Sequence, residues 1–102
     1  MKNIILVCAA GMSTSLLVNK MKNAAKEASL EVHIEAMPAS TFANYKEQTD
    51  VLLLGPQVSY LEAEMKAAYE PKGIKVSVIN MMDYGMMNGA KVLENAMKMM
   101  EK

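Results

Sequence analysis

Four short hydrophobic runs, Asn3 to Cys8, Val32 to Met37, Asp50 to Leu54 and Ile74 to Asn80, are separated by stretches whose apolar residues recur at helical spacing. That rhythm limits the chain more than any other feature, because strands alternating with helices lead to a parallel sheet joined by crossover helices. The helical patterns are Leu17, Met21, Ala24, Ala25, Ala28; then Val58, Leu61, Met65, Ala68; then Leu93, Ala96, Met97, Met100. The second crossover, Pro38 to Thr49, has a poor pattern, and Phe42 and Tyr45 are the expected anchors of a short helix there.

The strands also announce their order. A parallel strand covered on both faces reads as a continuous apolar run, whereas a strand nearer an edge alternates. Ile4-Ile5-Leu6-Val7 and Val51-Leu52-Leu53-Leu54 are continuous, while Val32 to Ala36 and Ile74 to Val78 alternate. The first and third strands are therefore central. With right-handed crossovers the order is 2-1-3-4, a small flavodoxin-like three-layer α/β domain with helices on both faces. In such a sheet the ligand crevice lies at the carboxyl ends of the strands where the winding reverses. Cys8 ends one of those strands and Gly55-Pro56-Gln57 follows the other.

At 102 residues, 52% of them hydrophobic, the chain suits one domain spanning residues 1–102. It has no Arg, and its 11 basic residues balance 11 acidic ones, so it has no nucleic-acid footprint. The apolar runs are too short to span a bilayer and Met1-Lys2-Asn3 leads directly into a strand, which points to a cytoplasmic protein without membrane insertion. A single cysteine with only His33 for company makes neither a disulfide nor a thiolate metal cluster. Neither a metal nor another cofactor is expected.

After the first strand comes Cys8-Ala9-Ala10-Gly11-Met12-Ser13-Thr14-Ser15, and no charged residue occurs from Cys8 to Val18. Gly11 permits backbone angles that let successive N–H groups curl around an anion, and Ser13, Thr14 and Ser15 add hydroxyl donors and candidate N-caps. A helix start favours a thiolate and equally a phosphate in the same place. No acid follows three residues after Ser13 or Ser15, so no capping box competes for the N–H groups. Cys8 is the candidate nucleophile, and residues Ala10, Gly11, Met12, Ser13, Thr14 and Ser15 the candidate phosphate cradle.

Cysteine phosphatases place an Arg six positions after the nucleophile to clamp the transferring group. Here that position is Thr14. A low-molecular-weight cysteine phosphatase or an arsenate-reductase-like enzyme is the alternative reading, and it lacks this clamp. A phosphoryl carrier needs the opposite property, since its phosphocysteine must outlast water. A receiver-like module requires an acid at the end of a central strand, whereas Asp50 begins one, and the G-x4-G-K nucleotide motif is absent.

The segment Cys8 to Val18 resembles the phosphorylation loop of the B components of lactose, cellobiose and diacetylchitobiose phosphotransferase systems, which reads Cys, Ser or Ala, then Ala-Gly-Met-Ser-Thr-Ser. Val51 to Tyr60 is similar to the family's second motif, LLGPQ followed by an aromatic, and Asp83-Tyr84-Gly85 also fits. The resemblance implies that Cys8 accepts a phosphoryl group from a phosphohistidine of the IIA component. Cys8 would then pass it to a sugar, a β-linked disaccharide such as cellobiose, chitobiose or lactose, held by the membrane IIC component. It implies a sugar phosphotransferase, and a monomer that docks transiently with each partner is the default expectation.

Gln57 and Tyr60, at the end of the third strand, are candidates to line the site. His33 sits mid-strand, away from the crevice, and reads as a surface residue. Of the 12 methionines most fall at core spacing, and exposed members of the group Met81, Met82, Met86 and Met87 are expected to give partners a pliable docking surface. Lys20, Lys22 and Lys26 read as a solvated helix face.

Overall fold

The computed structural model describes residues 2–8, 11–45 and 48–100. Strands β1 (Lys2–Val7), β2 (Val32–Met37), β3 (Val51–Leu54) and β4 (Lys75–Val78) form a parallel sheet in the order β2-β1-β3-β4. This is the order expected from the continuous and alternating runs. β1 pairs with β2 from Lys2↔Val32 to Val7↔Met37 and with β3 from Ile4↔Val51 to Val7↔Leu54, so the carboxyl ends of both central strands finish level. Ile4, Ile5, Leu6, Val7, Val51, Leu52 and Leu54 have no accessible surface. Burying each such side chain contributes about 1.5–3 kcal/mol, which fixes the register of the strands that carry the site.

Helices cover both faces. On one, α1 (Gly11–Glu27) and a C-terminal helix, α5 (Gly89–Met100), bury Leu17, Met21, Ala25, Val92, Leu93 and Ala96 against Ile4, Leu6, Val51 and Leu53. On the other, α2 (Ala39–Phe42) and α3 (Glu62–Tyr69) supply Phe42 and Met65 to a cluster with Ile5, Val7, Leu52 and Leu54. The weakly patterned second crossover does hold a short helix. Phe42 is buried, and its ring packs on Tyr45 and Tyr69 at centroid distances of 6.0 and 5.0 Å.

Three local expectations change. The helix expected from Val58 begins as a 3-10 segment, Pro56–Leu61, before α3. Pro56 at its start supplies no N–H for the ladder, and Val58 at φ −117° breaks the helical angles. The fourth strand ends at Val78, because Asn80 leaves the sheet to cap a short helix, α4 (Met81–Gly85), its Oδ1 accepting from the N–H groups of Met82 (2.9 Å) and Asp83 (3.2 Å). Met87 is not exposed with its neighbours. It turns the chain at φ 53° and packs on the core, ahead of Asn88, whose Oδ1 accepts from Lys91 N.

Candidate functional site

Cys8 directly follows β1 at the switch between β1 and β3. Its N–H donates to Met37 O at 3.4 Å, and beside it Gly55 N donates to Val7 O at 2.9 Å. The thiol side chain is 3% exposed. The 17-residue helix α1 opens at Gly11, so the unpaired N–H groups and positive pole of its first turn follow Cys8 after two residues. No acidic residue lies in that first turn. An anion attached to Cys8 would fall in that field.

Ala10 lies outside the described residues, and for Gly11, Met12 and Ser13 the description is of the helical backbone alone. Gly11 already belongs to α1, so Ser13, Thr14 and Ser15 sit inside its first turns and are not N-caps, contrary to expectation. Thr14 is the clearest consequence. It is 1% exposed and faces inward, while Ser15 is exposed.

Burying a hydroxyl without a partner costs about 1–3 kcal/mol, and Thr14 meets this need through Tyr84. Thr14 Oγ1 lies 3.2 Å from the Tyr84 hydroxyl, to which Gln57 Nε2 donates at 3.0 Å. The three residues come from α1, α4 and the 3-10 segment after β3. Gln57 is thereby linked to Thr14 of α1 through Tyr84. Its amide also folds back over Gly55: a Cβ on that glycine would stand 2.8 Å from Gln57 Oε1 and 3.7 Å from Cys8 Cβ. Tyr60, by contrast, is 77% exposed, and its side chain makes no hydrogen bond or ring contact among the described residues.

Tyr84 itself was not a candidate from its position in the sequence. It is buried, and the helix that carries it is five residues long. Around it on α4, Met81, Met82 and Met86 are exposed by 76%, 73% and 75%, and Leu16 of α1 by 51%. The outer side of α4 is thus largely apolar, with the half-buried Asp83 among its methionines.

The remaining candidates stand apart from this site. His33 and Glu35 form an exposed pair at 3.0 Å on β2. The Asp50 carboxylate accepts from Asn3 N at 2.8 Å, at the amino end of the sheet. Among the described residues no group of three or more His, Cys, Asp or Glu comes together to hold a metal, and no helix is long and apolar enough to cross a membrane.

A family model described as "PTS system, Lactose/Cellobiose specific IIB subunit" matches residues 3–95. The oligo-beta-mannoside-specific EIIB component of the PTS system of Bacillus subtilis (strain 168) is 42% identical over 100 residues, covering 98% of this chain and 97% of that protein. The galactose-specific EIIB component of Lactococcus lactis subsp. cremoris (strain MG1363) is 47% identical over 104 residues, covering 97% of this chain and 96% of its own length. The solution structure of a cellobiose-specific phosphotransferase IIB component from Borrelia burgdorferi superposes with a TM-score of 0.80 at 40% identity, over 98% of this chain and 92% of that one. A shorter match, 31% identical over 74% of this chain, falls on 13% of a lactose-specific EIICB component of Streptococcus mutans serotype c.

Proposed function

The chain belongs to the lactose/cellobiose-specific IIB family of the phosphotransferase system, and from that membership we propose that Cys8 is the residue on which it carries the phosphoryl group. A sugar phosphoryl carrier needs a nucleophile that a donor can reach and water cannot easily strip. The single observation that best supports Cys8 is its place: a buried thiol ending a central strand, two residues before the positive end of a 17-residue helix.

In the first half-reaction the Cys8 thiolate attacks phosphorus of a phosphohistidine on the IIA component. The P–S bond forms as the P–N bond breaks, and the imidazole leaves neutral after taking up a proton. In the second, a sugar hydroxyl presented by the IIC component attacks the same phosphorus. The S–P bond breaks, the thiolate is regenerated and the hydroxyl proton is lost to solvent or a base. Backbone N–H groups of residues 10–15 would hold the phosphoryl oxygens through both steps. With no Arg to stabilise attack by water, the phosphocysteine is held and not hydrolysed.

The IIC acceptor is supported by the relative in which a matching segment belongs to an EIICB component. The sugar we infer is a β-linked disaccharide of the cellobiose, chitobiose or lactose kind, and this chemistry places the carrier on the cytoplasmic side of the membrane. Incubation with phosphoenolpyruvate, the general phosphocarrier proteins and a cellobiose-type IIA component should add one phosphoryl group, seen by mass spectrometry. Vesicles bearing the IIC component and sugar should discharge it. Cys8→Ala phosphorylated at the parent rate would overturn the assignment.

A further inference from the structure

We propose that Tyr84 is a positioning residue for phosphoryl transfer, its hydroxyl fixing the distance between the two elements that frame Cys8. The inference rests on the carrier reading above and adds to it a residue that never needs to touch the phosphoryl group. On one side of Cys8 stands the first turn of α1, whose N–H groups would receive the phosphoryl oxygens. On the other stands the segment after β3, with the Gln57 amide lying over Gly55. Neither element bonds the other directly through these side chains. The Tyr84 hydroxyl joins them, 3.2 Å from Thr14 Oγ1 and 3.0 Å from Gln57 Nε2.

The chemistry of the three groups makes this a directed chain. An amide N–H only donates, so the Tyr84 oxygen accepts from Gln57, and its own proton is then available to Thr14 Oγ1. That arrangement also sets the Gln57 amide, turning Oε1 toward Gly55 and the Cys8 side. Thr14 and Tyr84 are both buried, 1% and 8% exposed, so water competes little for these bonds. Such a link is suited to hold an anion cradle at fixed width before the phosphoryl group arrives, the pre-organisation on which transition-state stabilisation depends.

Tyr84 also belongs to the core that packs α1 against α5. Its ring keeps α4 in place, and Tyr84→Phe removes the hydroxyl while leaving the ring. We expect this variant to melt within a few degrees of the parent. Its rate of phosphoryl uptake at saturating phosphorylated IIA should fall about tenfold, the effect of one neutral hydrogen bond, with KM for the donor unchanged within about twofold. Thr14→Val should do the same and Thr14→Ser should restore the rate. The double variant Thr14→Val/Tyr84→Phe should lose no more than either single change, because both break one chain. Gln57→Leu, at the more accessible end, provides a variant with little folding risk and should show the same split between rate and KM.

Parent-like uptake by Tyr84→Phe, or a double variant whose losses multiply to about a hundredfold, overturns the inference. A change confined to KM overturns it as well. If the parent protein itself accepts no phosphoryl group from IIA, the carrier reading falls and takes this inference with it, an outcome distinct from either of the others.

Discussion

Against one face of the sheet lie two long helices, α1 and α5, whose backbones nearly touch. Against the other lie α2 and α3, four and eight residues long, which pack through aromatic rings. The close contact is at Gly89, where a Cβ would come within 2.6 Å of Lys20 C and Met21 N. The first face also contains the buried Thr14–Tyr84 pair, while the cluster on the second is assembled from apolar side chains and the rings of Tyr45 and Tyr69. The difference separates two tasks. The α2/α3 face supplies stability by burial, which is non-directional and tolerant of small shifts. The α1/α5 face supplies stability and also the geometry of Cys8's surroundings, because α1 both covers the sheet and begins the proposed phosphoryl cradle.

The largest effect expected from a single change tests the first half of that division. Phe42, 4% exposed, fills the space between Tyr45 and Tyr69. Phe42→Ala should lower stability by about 3–4 kcal/mol in urea unfolding, from lost transfer free energy and the cavity left behind. Measured where the variant is still folded, its phosphoryl uptake should stay within about twofold of the parent. A large loss of rate in folded protein would erase the distinction between the faces.

Gly89→Ala should cost somewhat less stability and more activity. The nearest neighbours of the added methyl are backbone atoms and a Cβ of Lys20 and Met21, which do not rotate away, so α1 and α5 must separate, at about 2–3 kcal/mol. Any such shift moves Thr14 relative to Tyr84, since α4 leads directly into the turn before α5. Uptake in folded protein should therefore fall several-fold, in contrast to Phe42→Ala. A parent-like rate would show that the cradle is insulated from helix packing on its own face.

Much of this was legible from the sequence, and the limits have physical causes. Burial on both faces forces continuous apolar runs on β1 and β3, so the strand order and the position of Cys8 followed from pattern alone. The start of α1 did not. The pattern suggests that Gly11 curls the loop before the helix, yet Gly11 is the first residue of α1, and Thr14 therefore turns into the interior. Tyr84 was less accessible still. It sits on a helix too short to show periodicity, and its bond to Thr14 joins residues 70 positions apart. The exposed ring of Tyr60 illustrates the converse, for closeness in sequence to Gln57 did not bring it to the same partners.

The smallest expected effect concerns the outer side of α4, and it sharpens the comparison on a single helix. Tyr84 points into the core while Met81, Met82 and Met86 stand in solvent, each more than 70% exposed. Unbranched, polarizable side chains adapt to different partners, which suits a carrier that must meet a donor and an acceptor in turn. Replacing all three with Gln keeps length and flexibility and removes the apolar character. Stability should change by no more than about 0.5 kcal/mol per site, as for surface positions generally. KM for phosphorylated IIA should rise several-fold while the saturated rate remains near that of the parent. This is the reverse of Tyr84→Phe. If the triple variant lowers the saturated rate and leaves KM unchanged, the outer side of α4 is not a docking surface, and the separation of positioning from docking across this helix fails.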